Sequence, residues 1–195
     1  LETMRRNVNA GSPDLKLFEL GNVFIARGEG ELPREVDKIA LLMTGSRYGE
    51  NWHFQSLSAD FYDIKGALET LAAFLRAGEL RFEAAADIPW LHPGRAVKVF
   101  SGGKEIGSFG EFHPDAATRM DLRGRAFVCE IEADPLAEGA KAAVCYRDYS
   151  RFPLMTRDVA FLVGMEAEAA KMIDLARAAG EELLETVDVF DVYSG

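Results

Sequence analysis

Two stretches carry apolar residues at three- and four-residue spacing, the signature of a helix with one buried face. The first, Phe61, Ile64, Leu68, Leu71 and Leu75, follows Asp60, which can cap it, and meets Gly78, expected to end it. The second predicts a helix over Glu166–Ala179, with Ala169, Met172, Ile173 and Ala176 inward and Gly180 as the stop. Residues 1–10 read as the end of a helix broken by Asn9, Gly11, Ser12 and Pro13, and Pro114–Asp121 as a short helix with proline in its first turn.

Elsewhere the pattern is that of strands. Leu15–Leu20 and Val23–Ile25 read as two short strands with a turn or bulge at Gly21-Asn22, and Val36–Thr44 as a buried strand after the Gly28–Glu35 loop. Gly45–Ser58 has no regular pattern. Leu80–Ala84 is a strand, and Asp87–Gly94 a loop, because Pro89 and Pro93 cannot donate to a ladder. Arg95–Phe100 and Lys104–Phe112 form a hairpin around Ser101-Gly102-Gly103, and Ala126–Ala133 is a further strand. Residues 134–146 are weakly patterned and read as a linker. Beyond them Asp158–Val163 alternates, with Val159, Phe161 and Val163 on one face, and Leu183–Tyr193 alternates again, so the tail is expected to be strand, helix, strand. No repeat or low-complexity segment interrupts this order.

Composition agrees with a globular chain: 48% of the 195 residues are hydrophobic and 28% charged. The longest apolar runs, such as Ile39–Met43 and Ala160–Val163, fall far short of the ~20 residues that span a bilayer, so no membrane role is expected. The N-terminus has no apolar signal core and does not begin with Met, which reads as a cut from something longer. Two cysteines, Cys129 and Cys145, are too few for a disulfide scaffold and suit free thiols in a reducing cytoplasm. The net charge is −10, shared equally by the two sections: residues 1–146 carry 17 basic and 22 acidic side chains, residues 147–195 carry 5 and 10. Phosphate neutralisation supplies most of the affinity of a nucleic-acid binder, so autonomous RNA binding is disfavoured.

The candidate chemistry is thin. His53, His92 and His113 lack metal-ligand spacing and are expected to bond loop backbone. Ser101-Gly102-Gly103-Lys104 is not a phosphate loop, since it joins two strands rather than a strand and a helix. Asp60 and Asp63 at a helix start read as capping groups. Trp52, Phe54, Phe61, Tyr62 and Trp90 could stack on bases, but core or protein-interface packing is the better account. Arg147, Arg151 and Arg157 could contact phosphate, or pair on the surface with Asp148 and Asp158. No catalytic, cofactor-binding or metal-binding residue is assigned.

Five blocks in order resemble the beta chain of bacterial-type phenylalanine–tRNA ligase. They are Leu17–Phe24; Asn51-Trp52-His53 with Asp60–Gly66; Leu91–Ala96 with Ile106–Pro114; Ser150–Pro153 with Arg157–Ala160; and Phe190–Gly195. The resemblance implies an α+β fold: an antiparallel-sheet, class II synthetase-like but non-catalytic module over 1–140, a linker at 141–149, and the first half of a ferredoxin-like anticodon-binding domain, an incomplete β-α-β segment, over 150–195. It implies a chain inactive alone, scaffolding an alpha chain in an alpha2beta2 assembly. That assembly makes Phe-tRNA(Phe) from ATP, phenylalanine and tRNA(Phe), using Mg2+, in the cytoplasm; no cofactor falls on this chain. Ser150, Arg151, Phe152, Pro153, Arg157 and Asp158 match the opening of the tRNA-contacting domain, so Ser150, Arg151, Phe152 and Arg157, with Arg147 beside them, are the candidate tRNA contacts; Met155-Thr156 departs from the family there. Phe152-Pro153 serves equally well to fix the entry of a strand. A domain that stops after its second strand leaves a slot open, so exchange of strands with another copy, or packing on the first module, is expected. The competing readings are a stand-alone dimerisation or binding module, and a small-molecule enzyme with a His/Glu cleft.

Overall fold

The structure, a computed structural model, describes residues 1–49, 52–53, 55–140, 146, 148, 151–164 and 166–193. It divides into two compact units, Leu1–Cys145 and Tyr146–Gly195.

The first unit is built on one antiparallel sheet. Its strands are β1 (Leu15–Ile25), β2 (Arg34–Thr44), β3 (Leu80–Ala84), β4 (Leu91–Ser101), β5 (Lys104–Phe112) and β6 (Ala126–Glu132), in the spatial order β1-β2-β6-β5-β4-β3. Helices α1 (Glu2–Asn9), α2 (Phe61–Leu75), α3 (Pro114–Arg119) and α4 (Asp134–Gly139) complete it. The period-two alternation of the strands sends side chains to two cores. Beneath α2 and α4, Ile64, Leu68, Ala72 and Leu136 pack on Val99, Ile106, Phe109, Phe127, Cys129 and Ile131. On the opposite face Met4 and Val8 of α1 and Ala116 and Ala117 of α3 pack on Leu42, Leu91, Ala96, Phe112 and Val128. Phe61 and Phe82 both meet the buried Phe109 ring, at centroid distances of 4.8 and 5.6 Å.

Local chemistry explains most element boundaries. Asp60 caps α2 by accepting from the amides of Tyr62 (2.8 Å) and Asp63 (3.2 Å), and the Asp63 carboxylate returns a bond to the Asp60 amide at 2.7 Å. The helix ends at Arg76, left-handed at φ 54°, and not at Gly78, which lies in the following turn. Gly102 and Gly103, at φ 57° and 83°, make the predicted hairpin between β4 and β5 with two residues rather than three, since Ser101 pairs with Lys104.

Four further expectations are corrected. Gly21-Asn22 makes no turn: β1 runs unbroken, paired with β2 from Leu15↔Thr44 to Ile25↔Arg34, because an equally long neighbour supplies every ladder bond on that side. Loop 87–94 is shorter than predicted, since β4 begins at Leu91 and absorbs Pro93 through a register shift between Leu91 and Ala96. The linker at 134–146 starts with a helix, α4, whose Leu136 is 1% exposed; one apolar anchor in a polar, alanine-rich run leaves little periodicity to read.

The fourth correction concerns the second unit. Its helix, α5 (Ala169–Gly180), lies close to the predicted span, with Met172, Ile173 and Ala176 half-buried and Ala169 exposed, and a single 3-10 turn follows at Glu181–Leu183. The predicted strands over Asp158–Val163 and Leu183–Tyr193 are not in a ladder. A strand is completed by a neighbour's N–H and C=O groups, and among the described residues these two runs have no such neighbour. Val159, Phe161 and Val163 are exposed in consequence, as are Phe190 and Val192.

Candidate functional site

The polar side chains of the first unit gather where the N-terminus of α2 meets β4, β5 and β6. Glu111, on β5, occupies an inward position two residues from Phe109, and its side chain is 7% exposed. Arg125 grips it with both arms, Nε to Oε1 at 2.9 Å and Nη2 to Oε2 at 2.6 Å, while Arg95 Nη1 donates to Oε2 at 2.6 Å. A fork-to-carboxylate pair is the strongest geometry an ion pair takes in proteins. Donation from Arg125, with that from Arg95, outweighs burial and holds the Glu111 carboxyl below its ordinary range. Arg125 is raised in turn and lies over the Phe127 ring at 5.1 Å.

A second pair group adjoins the first. Arg47, from the irregular segment after β2, donates from Nη2 to Asp60 at 2.7 Å and lies 2.9 Å from Asp63 through Nε. Its guanidinium therefore ties the predicted capping carboxylates to the segment before the helix. Three arginines thus face three carboxylates, and each carboxylate oxygen has a donor aimed at it or a helix amide to cap. A general base or nucleophile needs a group poised near neutral pH and open to substrate. Here the charges are matched and the carboxyl is driven further from neutrality, so the Arg47 group ties the start of α2 to the segment after β2, while the Glu111 group acts as a clamp joining β4, β5 and the residue before β6. Gly110 is part of it: a Cβ there would lie 2.2 Å from the Arg95 carbonyl, so only glycine lets β4 bring Arg95 to Glu111.

The other candidates resolve into structural roles. His92 Nδ1 accepts from the Gly94 amide at 3.0 Å, and His113 Nδ1 accepts from the Asp115 amide at 3.2 Å, capping α3. Both do what loop histidines were expected to do. Among the described residues no three His, Cys, Asp or Glu side chains converge as metal ligands, and no helix is long and apolar enough to cross a membrane. Cys129 is buried in β6, and its thiol is pushed up to about 12 by burial. Of the aromatics, Phe61 joins the core and Trp90 packs beside the second one, whereas Trp52 and Tyr62 are exposed; Phe54 lies outside the described residues.

Of the residues predicted to contact tRNA, Arg147 and Ser150 lie outside the described residues. Arg151, Phe152 and Arg157 are exposed on a run without regular secondary structure, and Arg157 Nη1 donates to the Thr156 carbonyl at 3.1 Å. Sequence reasoning missed Glu111, Arg95, Arg125 and Arg47. The one available signal was a carboxylate at 111, in phase with Ile131-facing Gly107 and with Phe109, on a face otherwise apolar.

Comparison with known proteins gives these arrangements a context. Residues 1–133 match the family described as the phenylalanyl tRNA synthetase beta chain CLM domain, and residues 150–195 match the ferredoxin-fold anticodon binding domain. The phenylalanine–tRNA ligase beta subunit of Syntrophus aciditrophicus is 43% identical over all 195 residues, which cover 24% of that protein. That of Symbiobacterium thermophilum is 40% identical, with the chain covering 22% of it. The chain thus spans about a quarter of the length of the curated relatives it matches. Among solved structures, pyrrolysyl-tRNA synthetase from Desulfitobacterium hafniense superposes with a TM-score of 0.51 at 14% identity, over 71% of this chain and 47% of that one. At that identity the likeness is one of fold.

Proposed function

The chain belongs to the phenylalanyl tRNA synthetase beta chain CLM domain family, and from that premise we propose that it is a non-catalytic, scaffolding part of a phenylalanine–tRNA ligase. In this reading its first unit is a class II synthetase-like module that holds an alpha chain in an alpha2beta2 assembly. The second unit, the ferredoxin-fold segment, contributes to contact with tRNA(Phe) through Arg147, Ser150, Arg151, Phe152 and Arg157. The ATP and Mg2+ that the ligase reaction consumes and requires are handled by the alpha chain, in the cytoplasm.

The observation that carries the reading is the 43% identity to a ligase beta subunit along all 195 residues, across both units and without a gap in coverage. The Glu111 clamp supports the non-catalytic part of it, since its carboxylate is held by Arg125 and Arg95 and its sheet face is filled with Phe109 and Phe127. The acidic balance supports a secondary role toward RNA, because −10 of net charge opposes phosphate approach.

Mixing the chain with a phenylalanine–tRNA ligase alpha chain from a related bacterium and analysing the mixture by gel filtration tests the proposal. Co-elution at micromolar concentration is expected, with no Phe-tRNA(Phe) formed by the chain alone and only weak, salt-sensitive binding of tRNA. Separate elution of the two chains would end the scaffolding reading.

A further inference from the structure

The loop between β2 and α2 combines a fixed base with an exposed aromatic tip. It leaves the sheet at Gly45 and returns at Ala59, and its two ends are stitched together. The Arg47 and Ala59 amides donate to the Leu57 and Gly45 carbonyls at 2.6 and 2.8 Å, and Ser46 pairs with Ser58 in an antiparallel bridge. Further bonds hold this neck to its surroundings. The Ser46 amide donates to Asp14 Oδ1 at 2.6 Å, Lys16 Nζ donates to the Arg47 carbonyl at 2.8 Å, and the Arg47 guanidinium pairs with Asp60 and Asp63. A surface loop pinched in this way is an Ω-loop, a form that frequently carries function. Trp52, midway along it, is 95% exposed, with the edge of its ring system set against the His53 ring at 5.3 Å between centroids. Tyr62, in the first turn of α2, is 72% exposed. Tryptophan is among the side chains that gain most from burial, so a pinned loop that holds one in water is prepared for something that covers it.

The charges of the loop decide what that is. From Gly45 to Ala59 the sequence has two charged residues, Arg47 and Glu50, and Arg47 is engaged by Asp60 and Asp63. No other cation in the loop could meet phosphate, which a polynucleotide or an anionic lipid surface would demand. An indole whose sequence neighbours are neutral and polar, such as Asn51, Gln55 and Ser56, has instead the composition of a protein interface, where tryptophan is enriched and charge is depleted at the centre. We propose that the Trp52 loop docks into an apolar, uncharged cleft on the alpha chain, with the indole as its anchor. The inference rests on the scaffolding reading, which sets an alpha chain against the first unit, and it narrows that reading to one contact. Because the neck is already fixed, docking orders few further torsions, and the gain from burying the ring is not lost to ordering the loop.

The test is a calorimetric titration of the chain with a phenylalanine–tRNA ligase alpha chain from a related bacterium, comparing wild type, Trp52→Ala and Phe74→Ala. Phe74 is the control: it is 84% exposed, at the opposite end of α2 from the loop. Trp52→Ala is expected to raise Kd about thirtyfold or more, the mark of a hot spot, and Phe74→Ala to leave it unchanged. Thermal unfolding of both variants should match wild type, and a lowered midpoint in Trp52→Ala would show the ring to be a folding element and overturn the inference. Equal affinities of Trp52→Ala and wild type would overturn it while leaving the scaffolding reading in place. Absence of any binding by the wild type would end both. Two other results would assign the loop elsewhere and equally overturn it: self-association of the chain that Trp52→Ala abolishes, which would make a second copy the occupant, or tRNA binding that Trp52→Ala weakens while alpha-chain affinity is kept.

Discussion

The two units of this chain use similar raw material and reach different states. Both contain alternating apolar runs and an amphipathic helix, yet in the first unit every strand is paired on at least one side and the buried set includes Phe109, Phe127, Ile64, Leu68 and Leu136. In the second, the runs over 158–163 and 184–193 stand in no ladder and are mostly exposed, and α5 has no residue that is fully buried. The difference teaches that alternation supplies only one half of a strand. The other half is a partner, and burial follows once ladders have brought apolar faces together.

The largest break in this comparison should come from the first unit's core. Leu68, 1% exposed beneath the sheet, loses its packing in Leu68→Ala at a cost of about 2–5 kcal/mol, the range for buried leucines. Chemical denaturation should show that loss, and amide exchange in β5 and β6 should quicken with it. Exchange in α5 is the internal reference: if its protection fell in step, the division into two units would be wrong.

A smaller effect is expected at the clamp. Glu111→Gln removes the charge that Arg125 and Arg95 grip, and should cost about 2 kcal/mol, the scale of hydrogen bonds to charged groups. The pH dependence gives its sign. The folded value of Glu111 lies below that of an unfolded glutamate, near 4.3, so the unfolded state binds the proton first. The stabilisation is complete above about pH 5 and disappears as pH falls through the lowered folded value. Wild type should therefore lose stability more steeply than Glu111→Gln between about pH 5 and pH 3, and parallel profiles would show that the clamp contributes nothing.

These two residues also show what could be read before the structure. Leu68 was legible because its partners in the pattern, Ile64 and Leu71, lie within one turn of it. The Asp60–Asp63 capping box was legible for the same reason, its bonds spanning three residues. Glu111 was not. Its partners sit 14 and 16 residues away, just before β6 and on β4, and only the sheet register brings them together. The continuity of β1 through Gly21-Asn22 escaped for the converse reason: local turn chemistry suggested a break, and pairing with β2 overrode it. The tail runs stand in no ladder here because their pattern is local and their ladder would have to be non-local. The assignment of Arg151, Phe152 and Arg157 to tRNA came from likeness to a family and not from any convergence of side chains.

The smallest effect should be in the second unit. Phe161 is 68% exposed, on a run without ladder bonds, so its ring contributes little to folding wherever the chain is studied alone. Phe161→Ser should change the stability of the chain by no more than about 0.5 kcal/mol, the scatter of surface substitutions. The same chemical change at Phe109, buried beside Phe61 and Phe82, removes a core ring and belongs with Leu68→Ala. Limited proteolysis sharpens the contrast, since a protease needs extended backbone. Cleavage should begin within 151–163 or 184–193 and leave the 1–140 core intact, because backbone outside a ladder opens at little cost. Were Phe161→Ser to cost several kcal/mol, or were the first cuts to fall in β5 or β6, the ring would have to be buried in solution by a strand that completes the second unit's sheet. Alternation there would then have been a true record of a strand.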